Sequence, residues 1–253
     1  MTDMPKLIPQ NWALPEKIRT RLGTQAGRQR AMTHEGHLLL VLHDPPKADQ
    51  VHRTASFFWR APDGTWKGVG AVAKGGIGSL RGHVESFTAA AQALEDRVEA
   101  ATRAAEYFAV LQEVAPLLRT ARNMHRTLQE ARESCPEDRD LISIRDQAYE
   151  NERTLELIHG DARNGLDFTT ARRAEEQALH AERIHRASHR LNMIAAVFLP
   201  ISALGAIMGM NIEHGFEKRD APYVFWAFVV FAFLLGLLVR SMVVVSDSEK
   251  QAP

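Results

Sequence analysis

A single cysteine, Cys135, in 253 residues excludes a disulfide framework and any cysteine-built zinc or iron–sulfur site. Net charge is lacking too: 31 Lys and Arg balance 31 Asp and Glu. Without a basic excess, a nucleic-acid binder is disfavoured, because it needs cations against phosphates. Without an acidic excess, a disordered solubilising chain is excluded as well. The opening MTDMPKLIPQ has no apolar core of the kind a cleaved signal peptide needs. Residues 17–33 are Arg-rich and free of acid, as in a transit peptide, but Glu16 and the strand-like run beyond favour ordinary cytoplasmic structure. No Ser-His-Asp set, paired carboxylates or nucleotide signature is present. The Gly-rich stretch Lys74–Gly78 lacks the Gly-Lys-Ser/Thr ending of a phosphate loop and reads as a linker. An enzyme is therefore not expected.

The most informative scarcity is local. Residues 191–253 hold only four basic and five acidic side chains, leaving 27 and 26 in the first 190. Leu191–Ile212 is 22 residues without a charge, and Ala221–Val239 another 19. A hydrocarbon core of about 30 Å needs about 20 apolar helical residues, so each run predicts one crossing. Only Glu213–Asp220 separates them, which predicts a tight antiparallel hairpin. Arg183, Arg186 and Arg190 precede the first run and Arg240 follows the second. By the positive-inside rule both termini are expected in the cytoplasm.

Within the soluble part, His37–His43, Thr54–Trp59 and Thr65–Val69 read as strands, the last two joined by a turn at Pro62-Asp63-Gly64. Helix is expected for more than a hundred residues after that. Phe87, Ala91, Leu94, Val98, Ala101, Ala105 and Phe108 alternate steps of four and three, as in a coiled coil. Pro116 should kink or interrupt this helix, and Leu117, Ala121, Met124, Leu128 and Ala131 resume an apolar face. Pro136 reads as a first-turn proline opening a helix that Leu141, Ile144, Ala148, Leu155 and Ile158 line as far as Gly160. From about Leu166 a polar helix runs without a breaker into the first apolar run.

The first run ends Met208-Gly209-Met210-Asn211. Gly209-Met210-Asn211 at this place, before a short acidic loop and a second span opening with Pro222-Tyr223 and Trp226, resembles the signature of the CorA-type magnesium and cobalt transporters, in a short bacterial form. Leu191, Ile194-Ala195, Phe198-Leu199-Pro200 and Gly205 also fall where that family's first span has similar residues. Met208 departs from it, standing where a tyrosine is usual.

The resemblance implies an α+β fold: a reduced N-terminal cytoplasmic α/β domain (1–85), cytoplasmic helices and stalk (86–190), and two C-terminal transmembrane helices (191–212 and 221–245). An external loop (213–220) joins the helices, and a short cytoplasmic tail (246–253) follows. It implies a homopentameric divalent-cation channel of the cell (inner) membrane, magnesium first and cobalt, nickel or zinc open, with no resident cofactor.

Gly209, Met210 and Asn211 would form the entrance. Asn211 would offer a side-chain oxygen to a hydrated cation, magnesium being slow to shed its waters. Aligned on Asn211, the family's pore-lining positions would fall on Ser202, Leu199, Ala195, Leu191 and Ser188. Leu199 and Leu191 would gate by dewetting. Glu213, Glu217 and Asp220 would make the mouth slightly negative.

Other readings stay open. Asn211 is also a good helix cap, and the Ser202 hydroxyl can bond back to its own helix. Glu182, His185 and His189 share a helical face that suits either a transition metal or solvent. His34, His37, His43 and His52 read as surface or core residues. The alternative to a channel is a non-conducting membrane-anchored coiled-coil scaffold or metal sensor with the same fold.

Overall fold

The computed structural model describes residues 8–46, 54–70, 75–208 and 222–249. It comprises two compact units, Met1–Arg172 and Arg173–Pro253.

The first unit begins with a short helix α1 (Glu16–Arg19) and a four-stranded antiparallel meander: β1 (Arg30–His34), β2 (His37–His43), β3 (Ala55–Arg60) and β4 (Trp66–Val69), in that order. β2 reads LLLVL without alternation because both its faces are covered. Leu38, Leu40 and Leu42 join the helices' core, while Leu39 and Val41 pack with Trp12, Ile18, Met32 and Phe57. β1 is absent from the sequence reading. Its sequence RAMTH buries only Met32, so no apolar alternation marks it. It pairs with β2 through the two-residue loop Glu35-Gly36, whose φ values of 50° and 75° give the twist a tight hairpin needs.

Three helices close the other side: α2 (Ile77–Ala100), α3 (Ala104–Ser134) and the first half of α4 (Arg139–Met208). Phe87 and Val84, Met124 and Leu128, and Leu141 and Ile144 meet in one core, each at most 1% exposed.

The helices differ from the sequence expectation in three places. The single helix expected over Phe87–Phe108 breaks at Ala101–Arg103. The Glu106 carboxylate accepts from the backbone N–H groups of Thr102 (2.9 Å) and Arg103 (3.0 Å), capping α3. Those bonds and the Arg103 guanidinium hold its pKa down to about 2. Ala105 and Phe108 consequently leave the buried stripe, Phe108 being 53% exposed. At Pro116, where a kink or an interruption is expected, the helix is not interrupted: the residue lies inside α3, near the buried Val114 and Leu117. Pro136 lies in the turn before α4 rather than in its first turn. Asp138 marks the start instead: its Oδ1 accepts from the Leu141 N–H (3.4 Å), and its Oδ2 from Arg60 (2.8 Å) and Trp66 (3.3 Å).

Finally, α4 does not end at Gly160 to restart near Leu166; it is one helix. Glycine costs a helix about 1 kcal/mol but does not break it. Gly165 makes room for Tyr107, whose ring carbon would stand 2.4 Å from an added Cβ. One polar side chain, Asn151, is buried in this packing. The Asn151 Nδ2 donates to the Val84 carbonyl (3.0 Å) and its Oδ1 accepts from Thr88 (2.8 Å), linking α4 to α2.

The second unit holds the rest of α4 and α5 (Pro222–Glu249). Among the described residues, α4 is the one helix long and apolar enough to cross a membrane, and in α5 the described apolar stretch is Val229–Leu238. The two meet at Gly236, where an added Cβ would lie 3.2 Å from the Val197 carbonyl oxygen and 3.3 Å from its Cα. Ala232, one turn before, is 5% exposed. Small residues four apart let two apolar helices approach backbone to backbone.

Candidate functional site

The apolar half of α4 has two faces. Met193, Val197, Pro200 and Leu204 are half-buried and follow at steps of four, three and four, so they form one stripe on the side that meets Gly236. At 3.6 residues per turn, Ser188, Leu191, Ala195, Leu199 and Ser202 fall about 120–200° around the helix from Val197, on the opposite side. Leu191 and Leu199 are each 66% exposed, Ser188 and Ser202 are exposed, and Ala195 is half-buried. The helix thus brings these five residues into one row, facing away from α5, with a hydroxyl at each end and two leucines between. Phe198 and Ile194, at 64% and 56% exposed, flank the row.

Such a row can do two things chemically. Leucines on a narrow wall repel water and set a hydration barrier. Hydroxyls above and below them can touch the water shell of a passing ion. No carboxylate lies on this face, so any ion passing it would be held by its own waters.

The remaining residues singled out in the sequence, Gly209, Met210, Asn211, Glu213, Glu217 and Asp220, lie outside the described residues. Glu182, His185 and His189 do not form a metal centre: among the described residues no group of three His, Cys, Asp or Glu is placed to hold one. Glu182 pairs with Arg186, one turn on. The other histidines serve packing. His37 Nδ1 accepts from the Trp59 indole at 3.1 Å, His43 Nε2 lies 2.8 Å from the Gly27 carbonyl, and His34 is 3.2 Å from Glu35. His52 is outside the described residues.

Sequence reasoning missed two features. One is the α4–α5 seam, whose trace was the four-residue spacing of Ala232 and Gly236. The other is His83 in α2, 1% exposed between Phe58 and Phe87, with its Nδ1 3.5 Å from Asp44. Burial pushes its pKa down to about 4 against the opposing pull of Asp44. Asp44 in turn accepts from Ser56 at 2.6 Å. Nothing local in the sequence distinguishes this histidine from ten others.

Comparison with known proteins adds three findings. The family profile described as CorA-like Mg2+ transporter protein matches residues 77–244, from the start of α2 into α5. No curated protein sequence matches. Among solved structures, the full-length CmaX protein superposes with a TM-score of 0.55 at 17% identity, covering 91% of this chain and 83% of that one. The cytoplasmic domain of ZntB from Vibrio parahaemolyticus gives 0.53 at 12% identity, over 64% of this chain and 80% of that one. The CorA magnesium transporter from Methanocaldococcus jannaschii gives 0.40 at 15%, over 85% and 78%. The first two share this fold.

Proposed function

The chain belongs to the CorA-like Mg2+ transporter family, and from that membership we propose that it conducts hydrated magnesium through a homopentameric pore lined by α4. Membership makes it a membrane transporter of divalent cations and not an enzyme; the ion, the stoichiometry and the pore wall are the proposal.

The observation that supports it is the row Ser188, Leu191, Ala195, Leu199 and Ser202, all but Ala195 exposed, opposite the side that α5 occupies. Two helices cannot enclose a channel, so copies of the chain must supply the rest of its wall. Magnesium prefers octahedral oxygen ligands and dehydrates reluctantly. A ring of Asn211 amide oxygens at the mouth would receive it with its waters in place. Glu213, Glu217 and Asp220 would raise its local concentration there. Leu199 and Leu191 would be the hydrophobic necks below. With both termini in the cytoplasm, inward movement of a divalent ion down a potential of about 100 mV releases roughly 4.6 kcal/mol and needs no nucleotide hydrolysis.

The test is metal flux into proteoliposomes with magnesium, cobalt, nickel and zinc in turn, on wild type and Asn211→Ala. Each lost amide–water bond is worth about 1 kcal/mol, so a ring of them should cost tenfold or more in flux. The oligomer should persist, checked by native mass spectrometry. An assembled Asn211→Ala oligomer that passes magnesium unimpaired would overturn the entrance role. A wild-type protein that passes none of the four ions would favour the non-conducting scaffold.

A further inference from the structure

The side of α4 that meets α5 changes character where the apolar run begins. Its half-buried stripe continues from Met193 toward the start of the helix as Arg190, Arg186 and Arg183, at steps of three, four and three. At 3.6 residues per turn, all three arginines lie within about 40° of Val197. Met193 and Val197 are half-buried on this side, whereas the three arginines are exposed. The stripe is thus covered where it is apolar and open where it is basic. At the same level, the opposite side of the helix holds Ile184, Ser188 and Leu191 and no charge.

Depth fixes what the open part meets. Family membership puts the chain in a membrane, and α4 carries a stretch long and apolar enough to cross it. The uncharged run opens at Leu191, directly after Arg190. At a rise of about 1.5 Å per residue, Arg190, Arg186 and Arg183 lie about 1.5, 7.5 and 12 Å from Leu191 along the axis. The headgroup layer on each face of a bilayer is about 5–8 Å deep. Arg190 and Arg186 therefore stand within it, and the long Arg183 side chain reaches it. Glu182 pairs with Arg186. Three guanidinium groups against that one carboxylate leave the strip positive.

We propose that Arg183, Arg186 and Arg190 bind the headgroup phosphate of an anionic phospholipid in the adjoining leaflet. Planar guanidinium groups match phosphate oxygens in pairs, and the apolar helices beyond Leu191 offer a wall to the acyl chains. Each basic residue at a membrane surface favours anionic lipid by about fivefold. The side is also compatible with the proposed pore wall. The positive charge stands away from Leu191 and Leu199, where it would oppose a passing divalent cation. The inference requires that α4 enters the membrane at Leu191 and is independent of the ion and the subunit number.

The experiment is native mass spectrometry of the full chain in mild detergent. The protein is titrated with dioleoylphosphatidylglycerol, with dioleoylphosphatidylcholine and with soluble glycerol phosphate. Wild type is expected to retain the glycerol lipid at severalfold lower concentration than the choline lipid, with the preference shrinking at high salt. Arg183→Gln and Arg190→Gln should each weaken phosphatidylglycerol about fivefold and leave phosphatidylcholine unchanged. Glu182→Gln should strengthen it. Arg173→Gln, about 27 Å from Leu191 along the helix, should change nothing. All four substituted positions are exposed. Equal retention of the two lipids by wild type would overturn the proposal, as would equal weakening by Arg173→Gln. Glycerol phosphate that displaces the lipid at equal concentration would overturn the assignment to a bilayer lipid. No flux is measured, so the result stands apart from the channel.

Discussion

Leu38 and Leu191 are the same side chain under opposite conditions: Leu38 is fully buried in the first unit, and Leu191 is 66% exposed in the second. The contrast extends to their surroundings. Sheet and helices of the first unit close one core over β2 and a smaller one beneath it. In the second unit Phe198, Leu199, Phe231 and Leu234 all remain more than half exposed. Burying a leucine contributes about 1.5–3 kcal/mol, and the first unit obtains this from its own chain. The second unit must obtain it from lipid or from further copies. The first is complete as one polypeptide, and the second is not.

The largest expected effect tests that completeness directly. Phe87→Ala should cost the first unit about 3–5 kcal/mol through lost transfer energy and a cavity, measured as the denaturant midpoint of its helical signal. Leu191→Ala in the same assay should cost under about 0.5 kcal/mol. Equal costs would erase the distinction between the two units.

Acid sharpens the comparison next. His83 has a folded pKa of about 4, below the 6.5 it has when unfolded. Between those values the unfolded chain binds the extra proton, so stability falls as pH drops through this window and is fully present above it. The first unit should lose roughly 2 kcal/mol between pH 7 and pH 5, and His83→Leu should flatten that slope. A variant whose slope matches wild type would remove His83 as the cause.

Gly236→Val probes the close approach of α5 to Val197 in the second unit. Its Cβ would meet the Val197 backbone and should cost about 1–3 kcal/mol of helix packing. The readout is the thermal midpoint in detergent. Gly205→Val, where an added Cβ meets nothing within 4 Å, should leave it in place. The smallest effect on the fold belongs to Leu199→Asn. Under the proposed pore wall it should leave stability within about 0.5 kcal/mol while raising ion leak severalfold, because it wets a hydrophobic neck. Unchanged flux would make Leu199 a lipid-facing residue.

The two units were also unequally legible. β2 announces itself because five consecutive apolar residues between polar ends have few other uses. The core positions of α3 and α4, such as Met124 and Ile144, follow from their spacing. The break at Thr102 does not, since it contains neither Gly nor Pro and depends on one carboxylate, Glu106, turning back to cap. Gly160 misled in the other direction: a local propensity of about 1 kcal/mol does not by itself end a helix. In the second unit the positions from Ser188 to Ser202 share one helical side by their spacing alone. The seam at Gly236 needed coordinates, because a glycine in an apolar run does not say which neighbour it admits.

Asn151 sets a limit on how the long helix α4 can move. Its amide is matched at both ends, to Val84 and to Thr88. A lengthwise ratchet of α4 past α2 by one turn, about 5.4 Å, would take the Asn151 amide away from both partners, while the Val84 carbonyl keeps its bond within α2. Leaving the buried Asn151 amide unpaired costs about 1–3 kcal/mol. The pair therefore acts as a detent: it fixes the helix in translation at residue 151 while opposing a small swivel about the same point far less.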